Sequence, residues 1–227
     1  PLTPIFNKLM CKNSYPEIFL NIGGISNQAT IGLNGDLSAS DIGPGMCLID
    51  KWIRLKTKKK YDKSGAIAKS GKINKKILEK ALENFFLQDR NIKSLDVKDF
   101  DISFVQGLSL EDGAATLTEY TARIIVNYFS INNKCINDLF QPVDVTGGGR
   151  KNKFLINRIN DLAIELDHKF INCPLMFHVI DNWIDGDFVE SQAFAYLAIR
   201  SYLKIPISFP TTTGCSKPCT GGVIIKN

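Results

Sequence analysis

Two glycine-rich stretches hold the residue types best suited to handling phosphate. In Leu20-Asn21-Ile22-Gly23-Gly24-Ile25-Ser26-Asn27, a pair of glycines lies between apolar, strand-like runs. Glycine accepts positive φ and lets a ligand approach the backbone closely. Exposed N–H groups there, with the Ser26 hydroxyl and the Asn27 amide, would suit phosphate oxygens. An ordinary hairpin turn would look the same. The second stretch is Val145-Thr146-Gly147-Gly148-Gly149-Arg150-Lys151-Asn152, three glycines between a strand and a helix. Bare backbone leaves room for a flat base or a ribose, and the positive end of the following helix faces the ligand. Its spacing is neither the dinucleotide-binding fingerprint nor a phosphate loop ending in Lys-Ser or Lys-Thr. Taken alone, it also reads as a flexible connection.

The elements that must position these stretches follow from periodicity. Glu17–Asn21, Gln28–Gly32 and Leu37–Ile42 read as three antiparallel strands, the last two joined across Asn34-Gly35, a strong hairpin signal. Gly43-Pro44-Gly45 ends the pattern. Helical spacing predicts helices over Met46–Leu55, Asn74–Phe86 and Ser109 to about Tyr128, the last opened by Glu111 and Asp112 at its positive end. Lys56–Ser70 reads as a basic, turn-rich link and Leu87–Ser109 as irregular. Pro142–Thr146 is a short strand, with a helix from Asn152 through Leu162 and a buried strand near Phe177–Ile180. Phe188–Leu203 is a helix expected to turn Phe194, Leu197, Ala198 and Tyr202 inward, and Gly221–Ile225 is expected to form a final strand. A meander followed by alternating helices and strands predicts an α/β domain with a mixed sheet.

Composition narrows the classes. The 227 residues are 44% hydrophobic and 22% charged, an ordinary globular balance large enough to bury a core. The net charge of +5 comes with lysine clusters at residues 56–60 and 72–76, without the interleaved aromatics of a nucleic-acid surface. Cys11, Cys47, Cys135, Cys173, Cys215 and Cys219 are scattered, and His168 and His178 are the only histidines, so no zinc site assembles. Reduced thiols in a cytoplasmic protein are expected, with no membrane or nucleic-acid partner.

The two glycine stretches, about a hundred residues apart, resemble the layout of the sugar kinase, Hsp70 and actin superfamily. Between and beyond them, Asp41-Ile42-Gly43-Pro44-Gly45 with Asp50 and Trp52, Tyr61-Asp62-Lys63, Ser70-Gly71-Lys72, Asp112 with Ala115–Glu119, and Glu190 with Ala193–Ala198 resemble collinear motifs of the anhydro-N-acetylmuramic acid kinases. Thr212-Thr213-Gly214 and Gly221-Gly222 resemble the family's closing segment. The resemblance implies a C-terminal, ribonuclease-H-like lobe over residues 16–227, with residues 1–15 left from an interdomain helix. It implies ATP and Mg²⁺ as cofactors and 1,6-anhydro-N-acetylmuramic acid as substrate, in cell-wall recycling. Gly23, Gly24, Ser26 and Asn27 would hold phosphates, and Gly147, Gly148, Gly149 and Asn152 would border the adenosine. Glu190 would face the sugar, or it is a glutamate favoured at a helix start. Asp41 would orient a metal-bound water or a substrate hydroxyl, or it is a turn residue. Asp50 is expected to cap or pair locally.

Departures from the family pattern are Met46 for Asn, Lys93–Lys98 in place of a KSTGRE segment, and Arg150-Lys151. Pro1-Leu2-Thr3-Pro4 resembles a PLVP segment that follows the family's catalytic aspartate. The expectation is therefore a chain without the catalytic base or first phosphate loop, which either works with an N-terminal half or a homodimer partner or persists as a non-catalytic nucleotide-binding module. An apolar patch around Phe6, Leu9 and Met10 is expected to be exposed on the isolated chain.

Overall fold

The computed structural model describes residues 2–11, 16–32, 34–87, 94–132, 141–170, 175–182, 185–223 and 225, the side chains of 141, 167–170 and 182 excepted. Strands β1 (Glu17–Ile22), β2 (Ile25–Ile31), β3 (Leu37–Pro44), β4 (Gln141–Thr146) and β5 (Leu175–Val179) form one sheet in the order β3-β2-β1-β4-β5. β1–β2 and β2–β3 are antiparallel, whereas β1–β4 and β4–β5 are parallel. This is the mixed α/β sheet that the sequence predicts.

Side-chain alternation along β1 explains why both faces need covering. Ile18, Leu20 and Ile22 point into the main core with Val143 and Val145 of β4. That core is closed by α2 (Cys47–Lys56), α4 (Lys75–Phe86), α5 (Leu110–Asn132) and α6 (Lys153–Phe170). Phe19 points the other way and packs with Phe6 and Met10 of α1 (Pro4–Met10) and with Val189 and Ala193 of α7 (Val189–Tyr202). Trp52 is fully buried between α2 and α5, where its indole N–H donates to the Leu110 carbonyl at 2.8 Å. Asn74 caps α4 by accepting from the Ile77 N–H at 3.1 Å. Beneath α6, the buried Glu119 carboxylate accepts from Arg123 at 2.8 Å and from Arg158 at 2.6 and 3.1 Å.

Four expectations need correction. Phe6 and Met10 are buried at 8% and 6% exposure against the second sheet face, so of that trio only Leu9 is exposed. α7 buries Val189, Ala193 and Leu197, while Phe194, Ala198 and Tyr202 face outward. The turn-rich link contains a short helix, α3 (Ala66–Ser70), started by Asp62, whose carboxylate accepts from the N–H groups of Ile67 and Ala68 at 2.9 Å each. The described residues of Gly221–Ile225 form no strand: Val223 and Ile225 are exposed, and Ile224 lies outside the described residues. The tail is instead anchored upstream, where Ser208 pairs with Cys219 after α8 (Pro210–Thr213). Cys135, Cys173, Lys93 and the side chain of His168 also lie outside the described residues.

Candidate nucleotide site

β1 and β4 are adjacent and parallel, with Asn21 opposite Thr146. Each ends within a residue of that pair, and each is followed at once by a glycine turn. The two stretches singled out in the sequence therefore emerge side by side, outside the carboxyl ends of neighbouring strands, where open α/β sheets place their ligands. They meet in a cavity of about 460 Å³ lined by Ile22, Gly23, Gly24, Met46, Asp50, Tyr61, Asp62, Ser64, Gly148, Gly149, Lys151 and Asn152. That volume lies in the range of small-molecule pockets.

The first turn is locked to the start of α2. Gly45 and Cys47 donate to the Gly24 carbonyl at 2.9 and 3.2 Å, and Met46 donates to the Gly23 carbonyl at 2.8 Å. The second turn depends on two glycine positions for different reasons. Gly147 has φ +81°, and a Cβ there would strike the Asn21 side chain and the Ile22 backbone. Gly149 has ordinary φ but lies directly on Ile22, whose side chain and carbonyl a Cβ would overlap. Gly148 between them faces open space. A short 3-10 turn, Gly148–Lys151, follows and hands the chain to α6. The Asn152 side-chain oxygen accepts from the Leu155 N–H at 3.1 Å and so caps that helix.

Ion pairs from a buried arginine to two half-exposed carboxylates hold the second turn in place. Arg150 is 5% exposed, donates to Asp181 at 2.8 Å and to Asp187 at 2.7 Å, and also reaches the Gly147 carbonyl at 3.1 Å. Burial disfavours its charge, but the two carboxylates outweigh this and raise its pKa overall. Lys151 donates to the other oxygen of Asp187, at 2.5 Å. Hydrogen bonds from Lys151 and Arg150 hold the Asp187 carboxyl below its ordinary range.

Of the residues expected at the site, Gly23, Gly24, Gly148, Gly149 and Asn152 line the cavity together. Ser26, Asn27, Gly147, Asp41 and Glu190 do not. Ser26 is fully buried, with its hydroxyl donating to the Pro44 carbonyl at 3.4 Å beneath the turn. Asn27 lies opposite Asp41 in the β2–β3 pairing. The Asp41 carboxylate accepts from the Leu95 N–H at 2.8 Å and from Ser94 at 3.3 Å. This brings in the segment that carries Val97, whose side chain lies 3.5 Å from where a Gly24 Cβ would be. Glu190 is exposed in the first turn of α7.

Sequence reasoning did not place Met46, Asp50, Tyr61, Asp62, Ser64 and Lys151 in a common site. Ser64 is one of two non-glycine residues with positive φ among the described residues, at +57°. A left-handed serine is uncommon away from functional or turn positions. Burial raises the pKa of Asp50, with Asp62 adding to it and Arg54 opposing it. A second cavity, of about 520 Å³, lies between α4 and residues 99–104 and holds neither glycine turn. Among the described residues, no helix is long and apolar enough to cross a membrane, and no three His, Cys, Asp or Glu residues cluster as a metal site.

A ROK family protein from Streptococcus pneumoniae, solved in complex with sucrose, aligns over 86% of this chain and 64% of its own, at 12% identity and a TM-score of 0.32. The anhydro-N-acetylmuramic acid kinase of Pelagibacter ubique is 45% identical over 236 residues, covering 100% of this chain and 60% of its own length. That of Zymomonas mobilis is 38% identical over 226 residues, covering 99% of this chain and 58% of its own. The chain thus spans about 60% of the length of the curated relatives it matches. The family model for anhydro-N-acetylmuramic acid kinase matches residues 1–227, and the chain belongs to that family.

Proposed function

We propose that this chain is the C-terminal, nucleotide-holding part of a cytoplasmic, ATP-dependent kinase of cell-wall recycling. The reaction takes 1,6-anhydro-N-acetylmuramic acid, ATP and water to N-acetylmuramic acid 6-phosphate and ADP. Water opens the anhydro bridge at C1, and O6 receives the γ-phosphoryl group. The observation that carries this reading is the convergence of the Gly23-Gly24 turn and the Gly148-Gly149 turn on one cavity.

The residues present fit a nucleotide. Gly148 leaves open space at the wall where a side chain would project. Gly23 and Gly24 offer backbone next to the start of α2, so the phosphates would lie there. Lys151 lines the same cavity from the second turn, with its ammonium paired to Asp187. Mg²⁺ would enter with the phosphates at the Gly23-Gly24 turn, because this cation keeps several waters and needs few protein ligands. Bound there, Mg²⁺-ATP supplies the phosphoryl group, and this chain's contribution is to position and orient it.

A general base that activates water belongs, in this reading, to an N-terminal part supplied by the same polypeptide, a separate half or a second copy. The test is ADP release from ATP and Mg²⁺ with 1,6-anhydro-N-acetylmuramic acid, using the chain alone and mixed with the N-terminal part of a family member. Turnover in the mixture only is the expected result. Silence in both, with nucleotide bound, would leave a non-catalytic nucleotide-binding module and sink the kinase reading.

A further inference from the structure

Two buried polar atoms at this cavity have no hydrogen-bond partner among the described residues: Oδ1 of Asp50 and Nδ2 of Asn152. Both residues line the cavity. Asn152 is only 3% exposed, and its other amide atom is committed to capping α6. A buried donor or acceptor left unmade is costly, so such atoms usually mark a missing partner. One of these atoms is an acceptor and the other a donor. A ligand that satisfies both from this cavity presents a donor and an acceptor.

Position selects which part of a nucleotide this is. Asp50 lies in the first turn of α2, and its N–H donates to the carbonyl of Met46, the residue bonded to the Gly23 carbonyl. The carboxylate is therefore about one helical turn, roughly 5 Å, beyond the phosphate turn. The ribose follows the phosphates directly in a nucleotide, and the base lies one unit further on. A carboxylate so near the phosphates would repel them, yet it accepts well from a neutral hydroxyl, the use acidic residues have at ribose in other nucleotide sites. Burial already disfavours its charged form.

We infer that Asp50 and Asn152 read the vicinal diol of the ribose, the Asp50 carboxylate accepting from one hydroxyl and the Asn152 amide donating to the other. The site then discriminates ribonucleotides from deoxyribonucleotides. This assignment rests on the nucleotide reading above, and it makes Asp50 a specificity-determining residue rather than a local cap.

The experiment is calorimetric titration of the 227-residue chain with ADP, 2′-deoxyADP, 3′-deoxyADP and IDP, for the native sequence, Asp50→Ala and Asp50→Asn. Each deoxy analogue is expected to bind about tenfold more weakly than ADP, because its absent hydroxyl leaves a buried partner unpaired. Asp50→Ala is expected to abolish that gap for one of the two analogues, and Asp50→Asn, which keeps an acceptor, to retain part of it. Thermal unfolding of the variants checks that they fold, and the native-sequence comparison stands even if they do not. ADP and both deoxy analogues binding alike would overturn the assignment, as would gaps that survive Asp50→Ala in full. A loss confined to IDP would move the orphan pair to the base edge and also overturn it. No binding by any of the four would instead remove the nucleotide reading itself, a result distinct from indiscriminate binding.

Discussion

Gly148 and Gly149 are neighbours with opposite structural constraints, so substituting them separates ligand binding from folding. A side chain at Gly148 meets nothing within 4 Å, and its φ is ordinary. Gly148→Leu should therefore fold, with a change in stability of about 0.5 kcal/mol or less, while its side chain projects into the space reserved for ligand. We expect ADP affinity to fall by about a hundredfold or more, equivalent to about 2.7 kcal/mol. Gly149→Ala adds a single methyl group but overlaps the Ile22 side chain and carbonyl. Overpacking of this kind costs about 1–3 kcal/mol. For a chain of 227 residues, at about 2–4 °C per kcal/mol, Tm should fall by roughly 2–12 °C. Scanning calorimetry gives Tm, and titration calorimetry gives ADP affinity for both variants. If Gly148→Leu binds ADP as the native sequence does, the nucleotide does not occupy this cavity. If Gly149→Ala is as stable as the native protein, the contact between the second glycine turn and β1 is not what sets the turn's position.

Three further outcomes follow from groups outside the cavity. Glu119→Gln leaves Arg123 and Arg158 without their buried counter-charge, at 1% carboxylate exposure against 41% and 22% for the arginines. A cost of about 3 kcal/mol is expected in urea unfolding, the low end for a broken buried pair because both arginines reach water. Burial raises the Glu119 pKa, but hydrogen bonds from Arg158 and Arg123 outweigh this and lower it overall. Its contribution is thus present above the ordinary glutamate range and lost as pH falls through the depressed value, so the native protein should lose more stability than Glu119→Gln on acidification from pH 6 to pH 3. Cys215 should alkylate faster at pH 7.5 than Cys11 or Cys47, read by mass spectrometry of iodoacetamide-labelled peptides. Hydrogen bonds led by Thr213 lower its pKa, whereas burial pushes Cys47 up to about 11 and, helped by Glu17, Cys11 up to about 12. Asn74→Ala removes the cap of α4 and should cost about 1 kcal/mol in chemical denaturation.

The parts of the fold legible in the sequence were those bounded by turn residues or carrying apolar residues at helical spacing. β1 to β3 are short apolar or β-branched runs set apart by glycine turns, and Gly35 takes the positive φ, +75°, that Asn34-Gly35 announces. α4 shows one apolar stripe, and α5, buried on all sides over residues 113–122, still carries its large apolar residues at helical spacing, so their limits were readable to within a few residues. α7 has no such stripe. Phe194, Ile199 and Tyr202 lie outside while Val189, Ala193 and Leu197 lie inside, so large apolar residues surround the helix and periodicity cannot tell its faces apart. The buried face uses the smaller Ala193 because α1 packs close there, and only the partner helix reveals that. The start of α3 was hidden for a related reason: Asp62 caps it from four residues upstream of Ala66, across a left-handed Ser64 that no spacing rule anticipates.

Half of the candidate site was legible because glycine marks it chemically. The other half is ordinary residues made special by assembly. Asp50, Tyr61 and Ser64 come from α2 and from the link before α3, and no local pattern joins them to Asn152 nearly a hundred residues later. What joins them is the parallel pairing of β1 with β4, which sets Asn21 beside Thr146 and so brings both glycine turns to one level. α2 then leaves from the first turn and α6 from the second, carrying Asp50 and Asn152 into the lining of one cavity. A carboxylate in the first turn of an amphipathic helix reads as a dipole partner in any sequence. What distinguishes this one is a buried oxygen with no partner among the described residues, which only the folded chain shows.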